Sequence, residues 1–243
     1  MRVGFLHKNY KAIVTILGIV FLLVSIYIHL TGDFFTYRLS RGVIIFFFLT
    51  LLLYYQSGRI NRVLVTFMLF YGISSILTIW YEDATSATAA MIINLVAYLV
   101  LIISLIRRVT IKGMNTALLM AFVVLIGVNG YLLYELVLIL KEFALNSLHY
   151  LFILLGSMAL ALVGFLALLY NHKHSSKVTL FFTFFVFLLI FSEVFRALGY
   201  YDIVYGDIAV YIARFLLIAA LSMLLNHAIM DKKAGEQIGS NRS

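Results

Sequence analysis

Eight stretches of about twenty mostly apolar residues, separated by short polar connections, decide the solvent of this chain before anything else does. They run over 12–30, 42–56, 63–81, 87–106, 114–140, 149–170, 178–199 and 208–229. At 1.5 Å per residue a helix of nineteen residues is about 28 Å long, close to the hydrocarbon thickness of a bilayer. Hydrophobic residues make up 64% of the 243 and charged residues 12%, against roughly 45–50% and 25% in soluble domains. No soluble core absorbs that excess, so lipid must. The expected fold is all-α: an eight-helix transmembrane bundle forming one domain over 1–230, with a short polar tail, 231–243, expected to be disordered. The second segment is short and is expected to extend toward Arg38, whose side chain can snorkel. The first segment reads as an anchor helix and not a signal peptide, because no small-x-small cleavage pattern follows it at Thr31-Gly32-Asp33-Phe34.

Composition also removes several chemistries. With no Cys there is no disulfide framework, thiol nucleophile or iron–sulfur site. With no Pro no helix carries a proline kink. The formal charge of +8 would suggest nucleic acid in a soluble protein. Here the basic residues fall in short runs between apolar segments, so no nucleic-acid partner is expected.

Those runs set a topology instead. One side carries Arg2, Lys8, Lys11, Arg59, Arg62, Arg107, Arg108, Lys112, Lys173, Lys177, Lys232, Lys233 and Arg242, thirteen basic residues. The other carries three, Arg38, Arg41 and Lys141, together with six of the ten acids: Asp33, Glu82, Asp83, Glu142, Asp202 and Asp207. The asymmetry places both termini in the cytoplasm of a bacterial-type inner membrane.

Ionisable residues inside spans are costly and mark candidate sites. They are Glu135, Glu193, Arg196 and Arg214. Glu193 and Arg196 are three apart and share a helix face. The uncharged polar residues Ser74, Ser75, Thr78, Asn94, Asn129, Ser192 and Tyr211 fall at a similar depth, toward the side poor in Lys and Arg. Together they predict a polar cavity between the third, fourth, fifth, seventh and eighth helices. The structural alternative is an ion-pair network in which Glu193, Arg196 and Arg214 lock helices seven and eight together, with Glu135 reaching the interface. His172 and His174 read as part of a solvated basic turn, His29 and His149 as helix-end residues, and His227 as an interface residue. No carboxylate spacing ties the histidines to a metal, and no cofactor is expected. Trp80, Tyr81, Tyr200 and Tyr201 read as interfacial aromatics. No Lys lies in the core of segments seven or eight, against a retinal Schiff base. There is no G-x-S-x-G elbow.

A weak internal duplication is visible. Ser74, Ser75 and Thr78 match Ser192, Glu193 and Arg196 at an offset of 118, and Asn94 matches Arg214 at 120. Two parallel four-helix halves would give this pattern.

The run Ser192-Glu193-Val-Phe-Arg196-Ala-Leu, continuing to Tyr211-Ile-Ala-Arg214-Phe-Leu-Leu-Ile218, resembles the Ser-Asp and the Tyr-x-x-x-Leu-like run in the last two helices of the YhhN family, bacterial relatives of the lysoplasmalogenases. Helix order and loop lengths agree with that family over nearly the whole chain. The resemblance implies a lysophospholipid of the vinyl-ether type as ligand, a membrane lipid as partner, and Glu193 as the catalytic candidate. Arg196 and Arg214 would hold a phosphate. Ser192, Tyr211, Ser75, Thr78, Asn94, Asn129 and Glu135 would complete the site. The chain departs from the pattern in helix three, where Ile73-Ser74-Ser75-Ile76-Leu77-Thr78 replaces Ser-x-x-Gly-Asp, so one of the family's two acids is missing. Protonating a vinyl ether and directing water at the oxocarbenium suits two carboxyl groups with separated pKa values, and Ser75 or Thr78 cannot supply the second. A different class stays open beside this one: a non-catalytic membrane subunit or small transporter using the buried charges for helix pairing or proton coupling.

Overall fold

The computed structural model describes residues 10–56, 60–109, 116–201 and 206–240. Arg2, Lys8, Arg59, Lys112, Asp202, Arg242 and the first two positions of the fifth apolar segment lie outside these residues. Eight long helices account for nearly all of what is described: α1 Tyr10–Thr31, α2 Phe34–Tyr55, α3 Arg62–Leu77, α4 Ala84–Ile106, α5 Thr116–Leu140, α6 Ser147–His174, α7 Lys177–Tyr200 and α8 Gly206–Ser240. Single 3₁₀ turns extend α3 over Thr78–Trp80 and α5 over Lys141–Phe143. Each of the eight is long and apolar enough to cross a membrane.

Polar residues start the helices. Asp33, Asn61, Asp83, Asn146 and Ser176 each accept a hydrogen bond from the backbone N–H three residues on, satisfying a donor that the helix cannot satisfy itself. The side-chain and backbone hydrogen bonds from Thr36 hold the Asp33 carboxyl below its usual range, and those from Ser86 do the same for Asp83.

Two expectations are corrected. α2 reaches past Arg38 to the Asp33 cap and begins at Phe34, so Arg41, expected in the connection, is helical and lies two turns inside. At the other terminus, the tail expected to be disordered continues as helix through Ser240. His172 and His174 likewise belong to the last turn of α6 and not to a loop, where positive charge suits the helix dipole.

Contacts between helix ends fix the antiparallel arrangement. His29 meets Asp207, Arg38 meets Glu82, Tyr81 meets His149, and Phe143 meets Tyr201 at one end. Tyr10 meets Tyr55, Lys173 meets the Arg108 carbonyl, and Lys232 meets the Tyr55 carbonyl at the other. We call these the acidic and basic ends.

Six helices close a ring in the order α2, α3, α4, α6, α7, α8 and back to α2. α1 lies outside against α8 and α2, and α5 lies outside against α6. The sequence of neighbours in the first half, α2–α3–α4, recurs in the second, α6–α7–α8, as two parallel four-helix halves would arrange it. α1 and α5 turn most of their surface outward, with Ile16, Ile19, Leu23, Val123, Val124 and Val128 exposed, which is the surface a bilayer covers.

Toward the basic half the ring is packed solid. Phe48, Leu52, Phe67, Leu101, Phe185, Leu189, Leu217 and Leu221 are nearly inaccessible, and the Phe67 ring stacks on Tyr71 and meets Phe185 edge-on. α7 and α8 approach closely at Gly199. At Gly199 an added Cβ would come 2.7 Å from Val210 Cγ2, 3.0 Å from the Val210 nitrogen and 3.1 Å from the Gly206 oxygen, whereas Gly127 on α5 has nothing within 4 Å. We therefore predict that Gly199→Leu lowers the thermal midpoint of the purified protein by an amount equivalent to about 1–3 kcal/mol, while Gly127→Leu leaves it unchanged. Equal midpoints for the two variants contradict the close α7–α8 crossing.

Candidate functional site

Toward the acidic end the ring is not filled. A cavity of about 400 Å³ opens between the helices, lined by residues of α1, α2, α4, α5, α6, α7 and α8 and by Thr78 of the turn that ends α3. One wall is polar and the other, made by Leu133, Leu136 and Leu140 of α5 with Phe152, Ile153 and Leu160 of α6, is apolar.

The polar wall centres on the Glu193 carboxylate of α7. Its Oε1 accepts short hydrogen bonds from Arg41 Nη2 on α2 and from the Tyr71 hydroxyl on α3. Its Oε2 accepts from Arg196 Nε at 2.9 Å and Nη2 at 2.6 Å, one turn along the same helix. Arg41 Nη2 also donates to the Tyr71 oxygen at 2.6 Å. Glu193 is 8% exposed, as is Arg41. Four hydrogen bonds from three side chains saturate the carboxylate and join α2, α3 and α7. A proton on either oxygen would take a lone pair that one of those donors now uses, so that donor would have to turn away.

Arg214 of α8 stands apart from this network. Its Nη2 donates to the Tyr37 carbonyl at 3.0 Å and its guanidinium lies 4.5 Å above the Tyr37 ring. No carboxylate pairs with it among the described residues. Its Nη1 has no hydrogen-bond partner there, and neither do Arg41 Nε and Asn94 Oδ1. Asn94 Nδ2 donates to the Tyr98 hydroxyl at 3.1 Å. Such orphaned groups cost free energy unless something else satisfies them.

At the rim, Arg38 forms a two-pronged ion pair with Glu82, Nη2 to Oε1 at 2.7 Å and Nη1 to Oε2 at 2.9 Å. Nη1 also donates to the Ile79 carbonyl, and the guanidinium sits near the rings of Tyr200 and Phe34. Hydrogen bonds from Arg38 hold the Glu82 carboxyl below its usual range. The Glu82 side chain is 69% exposed, so solvent screening leaves this pair a contribution of well under about 1 kcal/mol. That contribution is present above the ordinary carboxylate value and fades as pH falls through the lower folded-state value. Beside it, the Tyr81 hydroxyl meets His149 Nε2 at 2.9 Å and Tyr201 at 3.3 Å, and burial pushes the Tyr81 hydroxyl up.

The expected site residues divide. Glu193, Arg196, Arg214, Thr78 and Asn94 line the cavity. Ser192 lies wholly buried and donates to the Ala213 carbonyl of α8 at 2.9 Å, while Ser74 donates to that of Ala90 at 2.8 Å. Both are interhelical ties. Ser75 is buried in α3 and its carbonyl accepts from Thr78 Oγ1. Tyr211 packs edge-on against His29 at 5.0 Å. Two residues are placed elsewhere altogether. Asn129 is exposed on α5 and bonds the Leu125 carbonyl of its own helix, and Glu135, half-buried on the same helix, is not among the residues that line the cavity. Both belong to a peripheral helix, so the fifth helix contributes only apolar side chains to the cavity. The expected pairing of Glu193 and Arg196 with Arg214 is also corrected: the third member is Arg41. Arg41, Tyr71, Tyr37 and Tyr98 were not among the expected site residues. The pattern Asp33-x-x-Thr36 is a helix-start signal that would have placed Arg41 inside the span.

The fold and site define a polytopic membrane protein with a cationic chamber at one end of its helix ring. Comparison of the chain with family models, curated proteins and solved structures gives no match.

Removing one partner of a buried, hydrogen-bonded pair leaves an uncompensated charge and costs about 3–5 kcal/mol. Glu193→Leu leaves Arg41 and Arg196 together without a counter-charge and is therefore predicted to destabilise the protein strongly in thermal melts, and Glu193→Leu combined with Arg41→Met to recover part of the loss. Additive effects of the two changes would contradict the Arg41–Glu193 contact.

Proposed function

We propose that this is a YhhN-like integral membrane protein of a bacterial-type inner membrane, with both termini cytoplasmic, that holds a lysophospholipid-like amphiphile in the cavity at its acidic end. The basic end faces the cytoplasm on this reading. With Arg38 and Arg41 both inside α2, Lys141 is the one basic residue left in a connection at the acidic end, which sharpens the asymmetry that orients the chain. The observation that carries the ligand reading is the two-sided lining: arginines at one wall and leucines and a phenylalanine at the other, in a volume within the range of small-molecule pockets. A head group bearing an anion suits the first wall and a single acyl or alkenyl chain the second.

Binding without hydrolysis is the form of this function that the geometry supports. General acid catalysis on a vinyl ether needs a carboxyl with a proton to give. The carboxylates lining the cavity among the described residues are Glu193 and Glu82. The first is saturated by two arginines and a tyrosine, and the second is tied to Arg38 at the rim. Glu193 then acts by orienting Arg41 and Arg196. The helix-pairing role considered from sequence is served by the same contacts, which tie α2 and α3 to α7; this leaves a non-catalytic subunit as the second reading.

Incubating the purified protein with a vinyl-ether lysophospholipid is expected to give a stable complex, detectable by native mass spectrometry, and no fatty aldehyde. Aldehyde release that is lost in Glu193→Gln would overturn the binding-only reading in favour of an enzyme. Orientation has its own check, helped by the absence of native Cys. Thr85→Cys is expected to react with an impermeant maleimide from outside intact cells and His174→Cys only after lysis. The reverse pattern would put the cavity on the cytoplasmic side.

A further inference from the structure

Charge arithmetic in the cavity goes beyond the presence of an anion. The lining holds four arginines, Arg38, Arg41, Arg196 and Arg214, and two glutamates, Glu82 and Glu193. Arg38 and Glu82 neutralise one another at 2.7 Å. Glu193 neutralises one of the pair Arg41 and Arg196. Two positive charges remain unmatched by any lining carboxylate among the described residues. Arg214 is one, and it is 4% exposed. A buried charge without a counter-charge is among the most expensive features a membrane interior can carry.

The rim makes the argument sharper. A zwitterionic head group such as phosphocholine or phosphoethanolamine brings its own cation, which needs an unpaired carboxylate or an open aromatic face. Both lining carboxylates are already engaged. At the rim the Arg38 guanidinium lies 5.9 Å from the Phe34 ring centre and 5.0 Å from that of Tyr200. A choline or ethanolamine group approaching these rings would meet a cation of the protein's own.

We infer that the cavity is specific for a single-chain amphiphile whose head is a phosphate monoester, carrying close to two negative charges at and above neutral pH, and that it discriminates against zwitterionic phosphodiesters of the same chain. Arg214 and the Arg41 Nε group supply the donors. Asn94, whose Oδ1 is buried with no donor among the described residues, lines the cavity beside them. This inference rests on the amphiphile reading above and names its head-group class. The same phosphate chemistry could come from free inorganic phosphate, so the test separates the two.

The experiment measures the affinity of the purified full-length chain in neutral detergent at pH 8 for four probes. These are a 1-acylglycerol 3-phosphate, the lysophosphatidylcholine of identical chain, the matching monoacylglycerol, and inorganic phosphate. The acylglycerol phosphate is expected to bind at least about tenfold more tightly than the phosphocholine, with the monoacylglycerol and inorganic phosphate weaker than both. Equal or tighter binding of the phosphocholine overturns the monoester specificity and leaves the amphiphile reading standing. Saturable binding of inorganic phosphate that an acyl chain does not improve overturns both, as does binding of none of the four. A second measurement needs no ligand. Because Arg214 is uncompensated when the cavity is empty, Arg214→Met is expected to raise the melting temperature of the delipidated protein and to abolish the preference for the monoester. A lowered melting temperature with the preference intact would make Arg214 a structural residue and overturn the assignment.

Discussion

One carboxylate, Glu193, organises the acidic half of this bundle. Taking it out of water costs several kcal/mol, and the chain meets that cost with hydrogen bonds from three side chains on three different helices, Arg41, Tyr71 and Arg196. The contact is directional where the rest of the helix packing is not. Apolar helices in lipid gain little from burying more apolar surface, so polar ties and close approaches set how they associate. Ser74 to Ala90, Ser192 to Ala213 and the Gly199 crossing are the lesser members of the same set. The ring closes around these ties, and the long charged side chains that make the central one do not fill space as a core of Phe and Leu does. A chamber is the consequence.

Electrostatics then divides the molecule into halves with different work. In the basic half, Phe67, Phe185, Leu189 and Leu221 fill the ring and hold it rigid. In the acidic half, the arginines outnumber the glutamates, so the chamber is built with a positive field that its own residues do not cancel. A ligand that brings the missing negative charge stabilises the ring as well as occupying it. On the proposed reading, binding and structure are the same interaction at this site, with Glu193 holding the arginines in place.

The eight spans were legible in the sequence because lipid solvation imposes a run length and a composition on every one of them. So was the depth at which Glu193, Arg196, Arg214 and Asn94 collect. Arg41 was not, because hydropathy treats two arginines in one turn as a loop, whereas the Asp33 cap and the tertiary partner Glu193 carry them into the helix. Asn129 and Glu135 misled for a different reason. α5 is apolar on every side, so nothing in its pattern says which face meets the ring, and its place outside α6 turns both residues away from the chamber. The match of Ser74, Ser75 and Thr78 to Ser192, Glu193 and Arg196 has a counterpart in the order of the ring, where the neighbours of α3 in one half correspond to those of α7 in the other. Each half carries one serine tie, Ser74 to Ala90 and Ser192 to Ala213, and the charges of the chamber come from both halves.

The central claim is that four arginines and two glutamates share a chamber whose surplus charge, on the proposed reading, is met by the head of a single-chain amphiphile. The most direct measurement is an experimental density map of the protein purified in mild detergent without delipidation. The account predicts an elongated feature with its compact end within hydrogen-bond reach of Arg214 and its tail along Leu133, Leu136 and Leu140. A chamber holding only solvent, or an Arg214 side chain directed into the acyl layer, would contradict it.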